Sequence, residues 1–203
     1  MTAKLVAALS LAVTLVWTAT SFAAGSKEAG QAKSATCAAC HGMDGNSVNP
    51  EWPNLAGQHE TYLLKQLTAF HGGQRQNLLM SPMAATLTGQ DMADVAAYFS
   101  SQAIRGGETD PSKAKLGQHV YRSGNVEGKV MACAGCHGPT GRGNAPAAFP
   151  SIQGQQATYV ALQLRAYKAG TRTTDPNQMM RNMATALSDE EIDAVASYVQ
   201  GLR

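Results

Sequence analysis

Outside two pentapeptides the chain has no cysteine: all four fall in Cys37-Ala38-Ala39-Cys40-His41 and Cys133-Ala134-Gly135-Cys136-His137. Beyond residue 22 there is no apolar run long enough to span a bilayer. No stretch alternates at period two for long enough to make a convincing strand. Neither sign of charge dominates, because 16 Lys and Arg stand against 14 Asp and Glu, so no basic field invites a nucleic-acid partner. Nucleophile elbows, paired-carboxylate motifs and nucleotide-binding loops are missing as well. The two pentapeptides are left as the place where chemistry can live.

Cys-x-x-Cys-His is the spacing of c-type haem attachment. The two thiols add across the vinyl groups of one haem, and the histidine directly after the second cysteine offers its imidazole to the iron from one face. A zinc half-site or a thioredoxin-like redox pair also begins with Cys-x-x-Cys, but neither accounts for histidine in the next position both times. The expected cofactors are two covalent haem c groups, on Cys37 and Cys40 and on Cys133 and Cys136. His41 and His137 are the first axial ligands.

The N-terminus agrees, since haem c is attached outside the cytoplasm and this chain opens like an exported one. Lys4 supplies the charged start, Leu5 to about Trp17 the apolar stretch, and Ser21-Phe22-Ala23-Ala24 the small-residue ending. We expect a signal peptide over residues 1–23, cleaved near Ala23, and a periplasmic mature protein. Losing Lys4 leaves a formal charge of about +1 over about 180 residues, a length for one large domain or two small ones.

An internal repeat chooses the second. Pro53-Asn54-Leu55-Ala56-Gly57-Gln58 and Tyr62-Leu63-Leu64-Lys65-Gln66-Leu67 return as Pro150-Ser151-Ile152-Gln153-Gly154-Gln155 and Tyr159-Val160-Ala161-Leu162-Gln163-Leu164. Met83 to Tyr98 returns one hundred positions later as Met183 to Tyr198. The expected organisation is a domain over 24–104, a linker over 105–115 with Arg105-Gly106-Gly107 and Asp110-Pro111, and a second domain over 116–203. Each domain reads as helical. Helices are expected from Ala29 to Cys37 and Lys113 to Tyr121, from Tyr62 to Phe70 and Tyr159 to Tyr167, and after N-caps at Thr88 and Ser188. The fold class is all-α.

A haem that only carries electrons needs a second axial ligand, and methionine thioether is the usual one. The repeat offers two aligned pairs, Met80 with Met180 and Met83 with Met183. Met80 is read as a loop residue before Pro82, free to aim across a haem face. Met83 and Met183 lie four residues before Leu87 and Leu187, spacing that suits packing. Both pairs remain candidates on this ground alone.

The paired haem motifs, the stretch from Asn54 to Leu67 and the endings Ala97-Tyr98-Phe99 and Ser197-Tyr198-Val199 together resemble the dihaem cytochrome c4 family, two class I cytochrome c modules in tandem. The resemblance covers essentially the whole mature chain. It implies His/Met ligation at both irons and places the methionine at Met80 and Met180, with Met83 and Met183 as the fallback. It implies that the backbone carbonyls of Pro53 and Pro150 accept the Nδ1 hydrogens of the haem histidines. Arg75 and Arg172 become candidates for pairing with haem propionates, against a competing role as solvated loop residues. His59, His71 and His119, unmatched between the halves, are expected at the surface.

The expected function is one-electron transfer in the periplasm rather than enzymatic catalysis. By resemblance the donor is a quinol-oxidising cytochrome complex and the acceptor a terminal oxidase, with peripheral membrane association. Two alternatives are a dihaem cytochrome c peroxidase-like enzyme, which predicts unlike halves, and a haem subunit of a dehydrogenase.

Overall fold

The computed structural model describes residues 24–203, and the expected signal peptide lies outside the described residues. Among the described residues ten α-helices form, five in each half. The first half holds α1 (Lys27–Lys33), α2 (Ala35–His41), α3 (Glu60–His71), α4 (Met80–Ala85) and α5 (Gly89–Ser100). The second holds α6 (Pro111–Ser123), α7 (Ala134–His137), α8 (Ala157–Lys168), α9 (Met179–Ala186) and α10 (Asp189–Gln200), with a single 3-10 turn at Pro176–Gln178. Among the described residues the β contacts are two isolated antiparallel bridges, Asn125 with Val130 and Asn144 with Phe149. The protein is all-α, as expected.

Each half repeats one packing scheme: its first helix lies on its last, its third (α3 or α8) on both its fourth and its last. The first-on-last crossing is close because glycine sits at it. A Cβ on Gly30 would stand 2.0 Å from the Asp94 carbonyl oxygen, and one on Gly117 would stand 2.2 Å from that of Ala194. No side chain fits there. The closing helices start where the sequence says, with a complete capping box at Thr88 and Asp91 and another at Ser188 and Glu191. Each box satisfies backbone donors that the first turn leaves open.

Two separate apolar clusters follow. Leu63, Val95, Ala96 and Phe99 form one. Val120, Tyr121, Val130, Ala161, Leu187, Ile192, Val195 and Val199 dominate the other. Phe99 and Ile192 are essentially fully enclosed, each burial contributing about 2–3 kcal/mol.

Two local readings are corrected. The stretch expected to be linker over 105–115 stops being irregular at Asp110: this aspartate caps α6, accepting from the Ser112 N–H, and Pro111 is the first helical residue. Asp-Pro is a turn signal in isolation, but proline is also favoured at the first helical position, where its missing N–H costs nothing. Met80 is likewise not a loop residue. It opens α4, with its N–H donating to Asn77 Oδ1 at 2.9 Å.

Candidate functional site

Cys37, Cys40 and His41 lie on one helix at i, i+3 and i+4, so all three face one side of α2. In the second module α7 has only four residues, yet Cys133 keeps helical backbone angles (φ −57, ψ −34) and the His137 N–H donates to its carbonyl at 2.9 Å. The same three-residue face results. No disulfide joins the four cysteines.

Behind each histidine comes a glycine with positive φ, +81 at Gly42 and +77 at Gly138. The chain reverses there and a loop returns beneath the imidazole. His41 Nδ1 lies 2.9 Å from the Pro53 carbonyl oxygen, and His137 Nδ1 lies 2.9 Å from that of Pro150. A carbonyl can only accept, so Nδ1 carries the hydrogen and Nε2 keeps its lone pair. Burial lowers both histidine pKa values, more than the bond to the proline carbonyl raises them. Each ring is thereby held neutral, the form that ligates a metal.

The methionines divide by environment. Met80 and Met180 are both half-buried and open the equivalent helices α4 and α9 at or next to their first residue. The other pair is unequal: Met83 is 39% exposed, whereas Met183 packs against the second core.

Arg75 is half-buried and Arg172 buried, so neither is a freely solvated loop residue. The two guanidinium groups share the acceptors Gln66 and Gln163 across the boundary between the modules. Arg75 donates to Gln66 of its own module at 2.7 Å and to Tyr159 and Gln163 of the other at 3.1 and 2.8 Å. Arg172 mirrors it, with Gln163 at 2.8 Å, Tyr62 at 2.9 Å and Gln66 at 3.2 Å. Removal from water raises the Tyr159 phenol, but the charges of Arg75 and Arg172 outweigh that and hold it below its usual value.

These residues fit a haem in each module. Two thiols and a neutral imidazole on one helical face are the donor set that covalent haem requires. The arginines' partners above are all neutral amides and phenols, and Arg172 Nε and Thr174 Oγ1 are buried with no partner. A buried guanidinium without a carboxylate calls for an anion, which the propionates of a haem provide.

Of the three remaining histidines, His71 and His119 are exposed. His59 is not a surface residue as expected, being half-buried with Nε2 sealed from solvent and unpartnered. The contacts that sequence reasoning missed are those between modules. Gln58, Gln66, Gln155 and Gln163 recur at matching places in the repeat, and recurrence of an uncharged polar residue in otherwise apolar helices and loops was the available signal.

Comparison with known proteins gives a consistent result. The cytochrome c family model matches residues 27–103 and 114–203. The chain is 48% identical over 195 residues to cytochrome c4 of Pseudomonas aeruginosa, covering 96% of this chain and 97% of that one. It is 38% identical over 167 residues to a thiosulfate dehydrogenase electron acceptor of Stutzerimonas stutzeri, covering 80% and 76% respectively. The crystal structure of reduced recombinant cytochrome c4 from Pseudomonas stutzeri superposes with a TM-score of 0.86 at 47% identity, over 89% of this chain and all of that one.

Proposed function

From the premise that the chain belongs to the cytochrome c family, as a tandem two-domain protein of the cytochrome c4 type that transfers electrons and is not an enzyme, we propose how its residues hold and tune its two covalent haem c groups. Cys37 and Cys40 form the thioethers of the first haem and Cys133 and Cys136 those of the second. His41 and Met80 are the axial ligands in one module, His137 and Met180 in the other. The modules run over 24–104 and 111–203.

Haem c supplies a one-electron iron couple. Pro53 and Pro150 fix the histidine rings and keep Nε2 available, and both axial ligands are neutral. The observation that carries this reading is the identity of the two halves: the same 2.9 Å histidine-to-proline contact stands behind both motifs. A peroxidase-like site needs one half to differ.

The protein acts in the periplasm after removal of residues 1–23, passing single electrons from a quinol-oxidising cytochrome complex to a terminal oxidase. Among the described residues no helix is long and apolar enough to cross a membrane; the membrane association proposed for the protein is peripheral. A second reading, service as the haem partner of a dehydrogenase, is favoured by the similarity to a thiosulfate dehydrogenase electron acceptor. Co-purification with a dehydrogenase separates the two.

The ligand assignment is tested by the optical spectrum of the oxidised holoprotein, reading the weak red charge-transfer band of a methionine–iron bond against total haem. Met80→Ala and Met180→Ala are each expected to remove half of it. A band that survives both moves ligation to Met83 and Met183, and a wild-type haem that lacks it and binds carbon monoxide readily overturns the electron-carrier site.

A further inference from the structure

The peptide that accepts each haem histidine's hydrogen is itself held by the opposite module. Pro53 O accepts from His41 Nδ1, and the N–H of that same peptide unit, at Asn54, donates to Gln155 Oε1 at 2.8 Å. Gln155 Nε2 then donates to Asn54 O at 2.9 Å, closing a two-point contact. The relation is reciprocal. Pro150 O accepts from His137 Nδ1, Ser151 N–H donates to Gln58 Oε1 at 2.9 Å, and Gln58 Nε2 donates to Ser151 O at 2.7 Å. Gln58 and Gln155 are buried, at 7% and 8% exposure.

The orientation of both amides is dictated by their neighbours. Gln155 Oε1 also accepts from the Gln156 N–H at 3.0 Å, and Gln58 Oε1 from the His59 N–H at 3.0 Å. Each oxygen thus faces two backbone donors and each nitrogen faces a carbonyl, so a flipped amide would set donors against donors.

We infer that Gln155 tunes the electron-donating strength of His41, and Gln58 that of His137, so that each haem's reduction potential depends on a glutamine of the other module. They are positioning residues, acting through a peptide and an imidazole. Hydrogen bonds in series polarise one another. An acceptor on the Asn54 N–H makes the Pro53 carbonyl more negative, which strengthens its pull on the Nδ1 hydrogen and gives the imidazole more anionic character toward the metal. A more basic ligand favours the oxidised iron. Losing the glutamine acceptor therefore raises the potential, and does so in the module that was not mutated. The effect is larger for Gln155, because Asn54 is buried at 4% exposure and its side chain bridges Ser47 N–H and Gly154 O, at 2.9 and 3.1 Å, shutting out water.

This inference rests on the ligand assignment proposed above. The test is a potentiometric titration of the full haem-loaded chain with the two haems resolved by their methyl proton resonances, in wild type, Gln155→Leu, Gln58→Leu and Gln155→Glu. The expected pattern is crossed: Gln155→Leu raises the first haem alone, and Gln58→Leu raises the second alone. Gln155→Glu, which keeps an acceptor oxygen and adds charge, lowers the first haem below wild type, an opposite sign that mere loosening of the interface cannot produce. Equal shifts in both haems, shifts confined to the mutated module, or none at all overturn the inference. The methionine–iron band, read on the same samples, keeps the two questions apart. Its absence from wild type sinks the ligand assignment, whereas an intact band with uncrossed shifts sinks only the cross-module tuning.

Discussion

Arg172 in the second module donates from Nη2 to the Tyr62 hydroxyl of the first at 2.9 Å. Arg75 answers with its own Nη2 on Tyr159 at 3.1 Å. Two cations are thus drawn to one boundary, each spanning both modules and each stacked on an aromatic ring of its own, Phe70 or Tyr167, 4.6 Å from the centroid. Attraction from phenol and amide oxygens has to outweigh repulsion between the two guanidinium groups. A haem propionate placed at this boundary would make that balance favourable.

Arg172→Leu strips charged donors from Tyr62, Gln66 and Gln163 at once. Hydrogen bonds to a charged group are worth about 1.5–3 kcal/mol each, and relief of repulsion with Arg75 offsets part of the loss, so the net cost is expected near 3 kcal/mol. Urea unfolding of the holoprotein measures it. The single transition should also split into two as the modules uncouple, and a variant as stable as wild type would contradict the role of this cluster.

Gly30→Ala and Gly117→Ala each drive a methyl group into a backbone carbonyl of the closing helix, at 2.0 and 2.2 Å. Backbone cannot yield as a flexible side chain does. A loss of more than about 2 kcal/mol is expected from either, felt first in the module that carries the change. Module-resolved amide exchange shows where the loss falls.

Removing one capping box at a time gives a gentler pair of perturbations. Thr88→Ala and Ser188→Ala each lose the hydroxyl that accepts from the third helical N–H, at a cost of about 1 kcal/mol. Thermal denaturation should register similar decrements for both, because the two boxes have the same geometry.

Asp94 ties the first helix to the closing helix of its module, accepting from the Ser26 N–H, from Gln90 and from Lys33. The Ser26 N–H, then Gln90 and Lys33, hold its pKa below the ordinary 3.8. The unfolded chain therefore binds this proton more readily than the folded one. The stabilisation is complete above about pH 4 and disappears as pH falls through the folded value. Melting temperatures of wild type and Asp94→Asn should differ most near pH 5 and converge as pH falls below 3.8 and through the lower folded value, and a gap that stays constant on acidification would refute the assignment.

Much of the helical layout was legible in the primary structure. The capping residues Thr88 and Ser188 sit directly before apolar stripes, and the three-and-four spacing from Tyr62 and Tyr159 carries through to α3 and α8. Boundaries were less legible. Asp110-Pro111 reads equally as a turn and as a helix start, and only the packing of α6 on α10 decides for the helix. Met80 before Pro82 reads as loop for the same reason, since a proline in the first turn of a short helix leaves no periodic run to detect. Arg75, Arg172 and His59 look like ordinary polar residues in loops. The two arginines find partners on the other module, and local sequence carries no record of it.

By itself the sequence determined the chemistry and its duplication. Cysteine and histidine at i, i+3 and i+4 share a helix face whenever that segment is helical, and the repeat guarantees two such faces. What the tertiary structure alone decided is how the copies meet: that Gln155 reaches the Asn54 peptide, that Gln58 reaches Ser151, and that Arg75 and Arg172 share one boundary. Those partners are about a hundred residues apart, and a hydrogen bond forms only within about 3 Å. Spacing along the chain fixes geometry across one or two helical turns. At longer range, placement follows from the burial of whole surfaces, to which each residue contributes only a small part.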